Sequence, residues 1–368
     1  MSLDLTGGLL ARLLIVLTIL IPAAAIWFSR RMRQRRGVAP VAGQWLLTLL
    51  AQAVAVMMAL VLINDQYGLY ASWDDLLGIQ PPASAAAIKV TPTAASAPLK
   101  SVPWVKGLPA GFVKNGLPNT YDTTVQVAGS PAPLPLSVVL PPEYFQPKYK
   151  HVKFPVIILL PGYPGSTWSW LHKMDLQKHA QEAVAAGGSP FIFAVSSVTI
   201  AGAPDLECMD LPGQPKLETF LIKSIPQIVK THFRAATDRK GWAIGGFSEG
   251  AYCGAQLSMR HPDIFGAALS IAGYPRPESP YFATIPHSYT DAGDLGLLLK
   301  KAPDIALLAT ESVQDRQAGN IFKALAHPQP PTVLKTVLFQ VGGHNYGAFS
   351  MELKADLLWM SQHMLRAR

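Results

Sequence analysis

Two long apolar stretches open the chain, and shorter apolar runs punctuate the rest. Leu13 to Phe28 and Trp45 to Ile63 carry no charged residue. With Leu9 to Arg12 added, the first reaches about twenty residues, or about 30 Å as a helix, which matches a bilayer's hydrocarbon core. The pattern predicts two transmembrane helices. Arg12 can snorkel to the interface, and Trp27, Trp45, Tyr67, Tyr70 and Trp73 lie near the ends, where amphipathic rings collect. Further on, Thr123 to Ala128 and Leu136 to Leu140 read as early antiparallel strands. Phe154 to Leu160, Phe191 to Val195, Gly241 to Gly245, Gly266 to Ile271, Asp304 to Thr310 and Thr332 to Val341 then alternate with helix-like segments. That alternation predicts an α/β fold, a mostly parallel sheet wrapped by helices.

Charge sets the orientation of the first third. Arg30-Arg31-Met32-Arg33-Gln34-Arg35-Arg36 joins the two apolar stretches without a balancing acid, so a short loop over about 30–42 is expected in the cytoplasm. Both ends of the chain then lie outside it. A cleaved signal peptide is the competing reading, because Ala23-Ala24-Ala25 resembles a cleavage site. The charge order argues against it: the first eight residues hold Asp4 and no Lys or Arg, and the arginines come after the apolar run. A buried helical hairpin would need protein on every side of Trp45 to Ile63. The division expected is a two-span anchor over 1–65, a juxtamembrane segment and Pro/Ala-rich linker over 66–119, and a catalytic domain over 120–368. Within the linker, Gln80 to Pro103 is rich in Pro, Ala and Ser and reads as extended.

Composition narrows the partners. The formal net charge of +8 suggests an anionic partner, but the loop arginines supply a large part of it and report topology instead. No nucleic-acid motif is present. The expected partners are a bilayer and an ester substrate.

The candidate chemistry centres on Gly246-Phe247-Ser248-Glu249-Gly250, which comes after the apolar run Gly241 to Ile244 and precedes a helix-like stretch, Ala251 to Arg260. A strand ending in so tight a turn presents the central Ser at the top of a sheet, with Gly on either side where a Cβ would collide. A serine hydroxyl needs a base, itself oriented by a carboxylate. His344 is the candidate base, in Gly342-Gly343-His344-Asn345-Tyr346-Gly347 after the last β-like run and before a helix-like tail, Ala348 to Met364. His261 reads as a helix terminus, and His172 and His179 as a helix face. For the acid, Asp315 lies a few residues into the loop after Asp304 to Thr310; Glu311 at the strand end is the alternative, and either could cap the helix beginning near Gln317. Acyl transfer also needs donors for the oxyanion. Pro161-Gly162-Tyr163-Pro164-Gly165 comes after a buried strand, which points to the Tyr163 and Glu249 N–H groups as that pair; Pro164 has no N–H to give.

Leu140-Pro141-Pro142-Glu143-Tyr144, Leu160-Pro161-Gly162, the Ser248 elbow, Arg260-His261-Pro262-Asp263-Ile264-Phe265 and Gly343-His344-Asn345 together give the chain, from about Thr120 to Arg366, a resemblance to the putative-esterase family of α/β-hydrolases, the group with esterase D and the antigen 85 mycolyltransferases. Leu206-Glu207-Cys208, Tyr252-Cys253 and the two-span start make it most similar to membrane-anchored actinobacterial esterases. Family members commonly carry His-Gly at the oxyanion loop, where this chain has Pro161-Gly162. The resemblance implies a carboxylic-ester hydrolase or acyltransferase that uses no metal or other cofactor.

The two cysteines, Cys208 and Cys253, lack metal-ligand spacing. In an oxidising exported domain they can pair, tying the loop Ala201 to Gln214 to the helix after the nucleophile; two separate buried thiols are the alternative. Gly273 to Thr290, rich in Pro and aromatic residues, is expected to wall an acyl or alcohol site above Ser248, or to be a structural loop. The function expected is a membrane-anchored, extracytoplasmic serine esterase acting on lipid or envelope esters. An aminoacylated lipid or an acylated glycolipid would suit. A mycolyltransferase-like acyltransferase and a non-catalytic envelope scaffold are the other readings.

Overall fold

The computed structural model describes residues 8–32, 38–67, 73, 76, 111–315 and 318–367. The central part of the basic loop, 33–37, and the linker expected over Gln80 to Pro103 lie outside the described residues. The described residues form two compact units. One holds the two N-terminal helices with Gln314, Asp315 and Val341–Ala348; the other holds the sheet with its helices and loops.

In the first unit, α1 (Gly8–Met32) and α2 (Val38–Tyr67) are longer than the apolar stretches that announced them. The loop expected over about 30–42 is therefore helical at both ends, with Arg30 and Arg31 in the last turn of α1. Pro40 falls in the first turn of α2, where its missing N–H removes no helix bond. The two helices pack through Leu10, Leu14 and Val61. Thr18 donates to Leu14 O at 2.7 Å and reaches Met58 Sδ at 3.5 Å. Toward one end, Phe28 lies against Gly43 so closely that a Cβ there would sit 2.8 Å from the ring. Ile19, Trp27, Trp45 and Leu46 face outward. Leu9–Met32 and Val41–Asn64 are each long and apolar enough to cross a membrane.

The second unit is built on one nine-stranded sheet in the order β1-β2-β3-β5-β4-β6-β7-β8-β9. Its strands are β1 (Val113–Lys114), β2 (Thr120–Val125), β3 (Leu134–Val139), β4 (Val156–Leu160), β5 (Ile192–Ser196), β6 (Trp242–Phe247), β7 (Ala267–Ile271), β8 (Ala306–Ser312) and β9 (Val333–Phe339). The pairs β1–β2, β2–β3 and β3–β5 are antiparallel. From β5 through β4, β6, β7 and β8 to β9 every pair is parallel. The antiparallel start and parallel body agree with the pattern of the sequence. Central strands such as Val156–Leu160 are buried at every residue because helices cover both faces, which is why they read as unbroken apolar runs. β1 escaped the pattern; two residues, Val-Lys, are too few to show alternation.

Four helices of eight residues or more flank this sheet among the described residues: α3 (Leu176–Ala185), α4 (Ile225–His232), α5 (Glu249–Arg260) and α6 (Leu353–His363). The tail expected as one helix is two, Tyr346–Ser350 and α6, divided at Met351. Cys208 and Cys253 form a disulfide with Cα atoms 5.6 Å apart, joining the 201–214 loop to α5. Closing the 45-residue separation it spans stabilises by roughly 4 kcal/mol on the chain-entropy account.

α6 carries a buried carboxyl, Asp356, onto the back of β8. Thr310 Oγ1 donates to its Oδ1 at 2.8 Å, while Oδ2 finds no partner. Burial is the main cause that pushes this acid up to about 7. A carboxyl whose folded pKa lies above its unfolded value of 3.8 contributes full stability below that value and loses it as pH rises toward 7. Wild-type protein should therefore melt at a lower temperature at pH 8 than at pH 5.5. Asp356→Asn should flatten that slope, since every tenfold difference in proton affinity between folded and unfolded chain is worth about 1.4 kcal/mol. Tryptophan-fluorescence melts of both proteins at the two pH values check it; parallel slopes would show that Asp356 is not the group responsible.

Candidate active site

Ser248 stands between β6 and α5 with φ 57° and ψ −118°. A non-glycine residue in that region is strained, and the strain has to be held by its surroundings. Three hydrogen bonds hold it: Ser248 N–H donates to Ile271 O at 2.9 Å, and the N–H groups of Ala251 and Tyr252 both donate to Ser248 O, at 3.0 and 3.1 Å. The flanking glycines are obligatory for packing. A Cβ on Gly246 would meet Leu160 O at 2.1 Å, and one on Gly250 would meet the same oxygen at 2.2 Å. The turn thus presses directly on the end of β4. Gly250 N–H donates to Pro161 O at 3.1 Å, which fastens the Pro161–Gly165 loop to the elbow. In that loop a Cβ on Gly162 would lie 3.1 Å from Ser248 Cβ and 3.5 Å from its Oγ. Tyr163 comes next with its ring exposed, and Glu249 is the first residue of α5, where a backbone N–H has no acceptor within the helix.

His344 and Asp315 meet in the other unit, with His344 Nδ1 2.6 Å from Asp315 Oδ2. Asp315 has 2% of its side chain exposed and His344 19%, so the carboxylate is enclosed and the ring is not. A carboxylate only accepts, so Nδ1 carries the hydrogen, and in the neutral ring Nε2 then carries the lone pair. The two loops are fastened to each other by Gly342 N–H, which donates to Gln314 Oε1 at 2.7 Å. Asn345 Oδ1 accepts from Ala348 N–H at 3.0 Å and starts the helix Tyr346–Ser350. Glu311, the alternative acid, belongs to the unit with the sheet. β8 runs on to Ser312, so Glu311 is within the strand, fully buried, and accepts the Gly273 N–H at 2.9 Å. His261 ends α5 and pairs with Glu218 at 2.7 Å, a structural contact.

The segment expected as a wall, Gly273 to Thr290, is stitched to the 201–214 loop. Glu207 Oε1 accepts from the N–H groups of Glu278 and Ser279, both at 2.7 Å, and Ser279 Oγ donates to Asp205 O at 2.9 Å. Beneath them the Tyr252 and Tyr274 rings stack at 4.7 Å. Sequence reasoning gave no role to Asp205, Glu207 or the Glu249 side chain, which the fold gathers beside the elbow. Burial, with the charges of Asp205 and Glu207 adding to it, pushes the Glu249 carboxyl well above its usual range. Burial likewise lifts Glu207 to about 8. Glu249 also lies within 4.8 Å of both cysteine sulfurs. Those sulfurs are spent in the disulfide, so this is no thiolate metal site.

The family profile of putative esterases matches residues 131–346 of the chain, from β3's approach to the His344 loop. The chain belongs to the putative-esterase family. The profile is one of esterases, and this chain carries a serine at the elbow between β6 and α5. An uncharacterized protein of Corynebacterium glutamicum is 30% identical over 141 residues, which is 38% of this chain and 32% of that relative, so the match spans about a third of the relative's length. Among solved structures, an S-formylglutathione hydrolase from Agrobacterium tumefaciens aligns with TM-score 0.57 at 15% identity, covering 69% of this chain and all of that one. A fluorophosphonate-binding serine hydrolase of Staphylococcus aureus aligns with TM-score 0.52 at 15% identity, covering 66% of this chain and 98% of that one. These likenesses bear on the fold, an α/β-hydrolase sheet.

The two glycine contacts separate folding from chemistry in this esterase. Gly246→Ala would drive a Cβ into backbone oxygen and should yield little folded protein. Gly162→Ala places its methyl against Ser248 at a tight but tolerable distance. It should keep its melting temperature within a few degrees while esterase activity falls by about 10²-fold, the size of a lost oxyanion contact. Folded yield, melting temperature and p-nitrophenyl acetate hydrolysis on both variants decide the matter, and a fully active Gly162→Ala enzyme would remove this loop from the site.

Proposed function

We propose that this esterase is membrane-anchored, that its α/β domain lies outside the cytoplasm, and that it hydrolyses carboxylic esters of lipids or envelope glycolipids through an acyl-enzyme on Ser248. The observation that carries the reading is a histidine whose Nδ1 is held by a buried aspartate, in a chain whose other unit presents a serine at a strained elbow. Ser248, Asp315 and His344 come after the C-terminal ends of β6, β8 and β9, three parallel strands.

Ser248 Oγ attacks the ester carbonyl as His344 Nε2 takes its proton. The N–H groups of Tyr163 and Glu249 receive the negative oxygen of the tetrahedral intermediate. Collapse breaks the C–O bond, and His344 returns the proton to the leaving alkoxide, releasing the alcohol. Water then attacks the acyl-serine with His344 again as base, and the carboxylic acid departs. Asp315 fixes the tautomer throughout and stabilises the imidazolium.

The membrane reading rests on α1 and α2 and on the arginines between them, of which Arg30 and Arg31 close α1. By the positive-inside rule that connection is cytoplasmic and the chain beyond α2 is outside. An anchored domain meets esters in the same bilayer at a raised effective concentration, which favours a lipid-borne substrate over a freely diffusing one.

A fluorophosphonate probe should label the protein at Ser248, and Ser248→Ala should lose both the label and hydrolysis of a short p-nitrophenyl ester. His344→Ala should lose at least about a hundredfold in kcat, and Asp315→Asn about 10²–10⁴-fold with unchanged melting temperature. Near wild-type turnover in Ser248→Ala would end the acyl-enzyme reading. For topology, an impermeant maleimide applied to intact cells should modify a cysteine introduced at Ser96 and spare one introduced at Gln34. The reverse pattern would put the esterase domain in the cytoplasm. Mass spectrometry of lipids from deletion and complemented strains identifies the ester class.

A further inference from the structure

Glu249 immediately follows the nucleophile, and its carboxyl is 3% exposed with no hydrogen-bond donor for either oxygen. Ionised, it would be a charge without compensation. No Lys or Arg forms an ion pair with Glu249, Glu207 or Asp205 among the described residues, and the groups that face Glu249 are acidic or neutral. From the 201–214 loop come Asp205 and Glu207; from the Pro161–Gly165 loop, Tyr163; from its own helix and the 273–287 segment, Tyr252 and Tyr274. The Cys208–Cys253 sulfurs complete the surround. Arg260 acts on Tyr252 in this group, but it pairs with Glu218 at 2.9 Å.

The deadlock resolves with one proton. As a carboxylic acid, Glu249 gains an O–H that donates to Asp205; burial raises both carboxyls, and this contact favours the acid form of Glu249 while working against the rise at Asp205. Asp205 keeps the negative charge; it is the member of the pair with some solvent exposure, and it already accepts the Glu207 N–H at 3.0 Å. The direction of donation is therefore set by surroundings: the acid is the enclosed group, the anion the better solvated one.

We propose that Glu249 and Asp205 form an acid pair sharing a single proton, with Glu249 the donor, and that this bond positions the residue after the nucleophile against the 201–214 loop. Glu249's side chain is a positioning group. It acts on the elbow through the backbone of the first turn of α5, and through Asp205 and Glu207 onto the 273–287 segment that Glu207 holds. When the shared proton is lost, two carboxylates oppose each other one residue from Ser248, and the pair becomes a wedge between helix and loop.

The test uses the full chain in detergent micelles. Wild-type kcat should fall in the alkaline range, by about a factor of ten per pH unit once the pair has lost its proton. In Glu249→Gln the amide donates to Asp205 at every pH, so the ratio of kcat at pH 9.5 to that at pH 7.5, taken within each protein, should rise severalfold above the wild-type ratio; Glu207, lifted to about 8, titrates in every protein and cancels in that comparison. Asp205→Asn serves as a second variant, because its amide can donate to an ionised Glu249 and should raise the ratio likewise. Infrared difference spectra of wild type minus Glu249→Gln at pH 7 should show the carbonyl stretch of a protonated carboxylic acid. This arm needs no turnover, so it stands apart from the Ser248 reading that the kinetic arm rests on. A difference spectrum without that band, or alkaline limbs that superimpose in wild type and both variants, overturns the proposal.

Discussion

The close approach of the elbow to the end of β4 governs the rest of this fold. Leu160 O stands where a side chain on either Gly246 or Gly250 would have to go, so strand, turn and helix can converge only with glycine at both places. That convergence forces Ser248 into a left-handed conformation costing about 1–3 kcal/mol. The cost is borne by Ile271 O, by the start of α5 and by Pro161 O, all of which also position the neighbouring loop. The strain and the exposure of the hydroxyl have one origin. Relaxing the turn would bury the serine as well as ease the backbone.

How much of this was legible depends on the range of the interaction. Strands and elbow are local: an apolar run, a glycine, a serine and a helix-like stretch sit within about twenty residues, and periodicity with turn chemistry reads them. The position of Asp315 was readable for a similar reason, since a loop after a strand near the sheet's end is a short-range feature. The surroundings of Glu311 were harder to read, because they depend on where β8 ends and on the Gly273 N–H, 38 residues distant, which it accepts. Asp205 and Glu207 were harder still. The expected Cys208–Cys253 pair brings their loop to α5, but nothing in the sequence says that the two carboxyls turn toward it, and a carboxylate in a polar loop is ordinarily a solvated one.

The two left-handed non-glycine residues in the 201–214 loop, Glu207 (φ 44°) and Cys208 (φ 60°), obey the same logic as Ser248. Each is a strained position held from outside: Cys208 by its bond to α5, Glu207 by two backbone N–H groups of the 273–287 segment and by Gln256, which donates to its carbonyl at 2.8 Å. The loop has no regular structure to hold itself. It is fixed by covalent and polar contacts to the helix that begins at the nucleophile, so the wall and the elbow move as one body.

Placing three carboxyl groups in that body works against stability and, on electrostatic grounds, against catalysis. An uncompensated negative charge near the carbonyl would raise the energy of a developing oxyanion, which backbone N–H groups are there to lower. A single proton on Glu249 removes the charge next to the nucleophile. It also converts a repulsion into the contact that joins elbow and loop, leaving the charge of the pair on Asp205, the more exposed of the two, while burial lifts Glu207 to about 8. Cysteine and glutamate thereby act on the same pair of elements from neighbouring positions, one covalently and one through a proton. The covalent tie answers to the redox state of the compartment and the other to its pH. A domain outside the cytoplasm, as we propose for this chain, would meet both conditions directly, which gives the acid pair a physical reason to sit beside a disulfide.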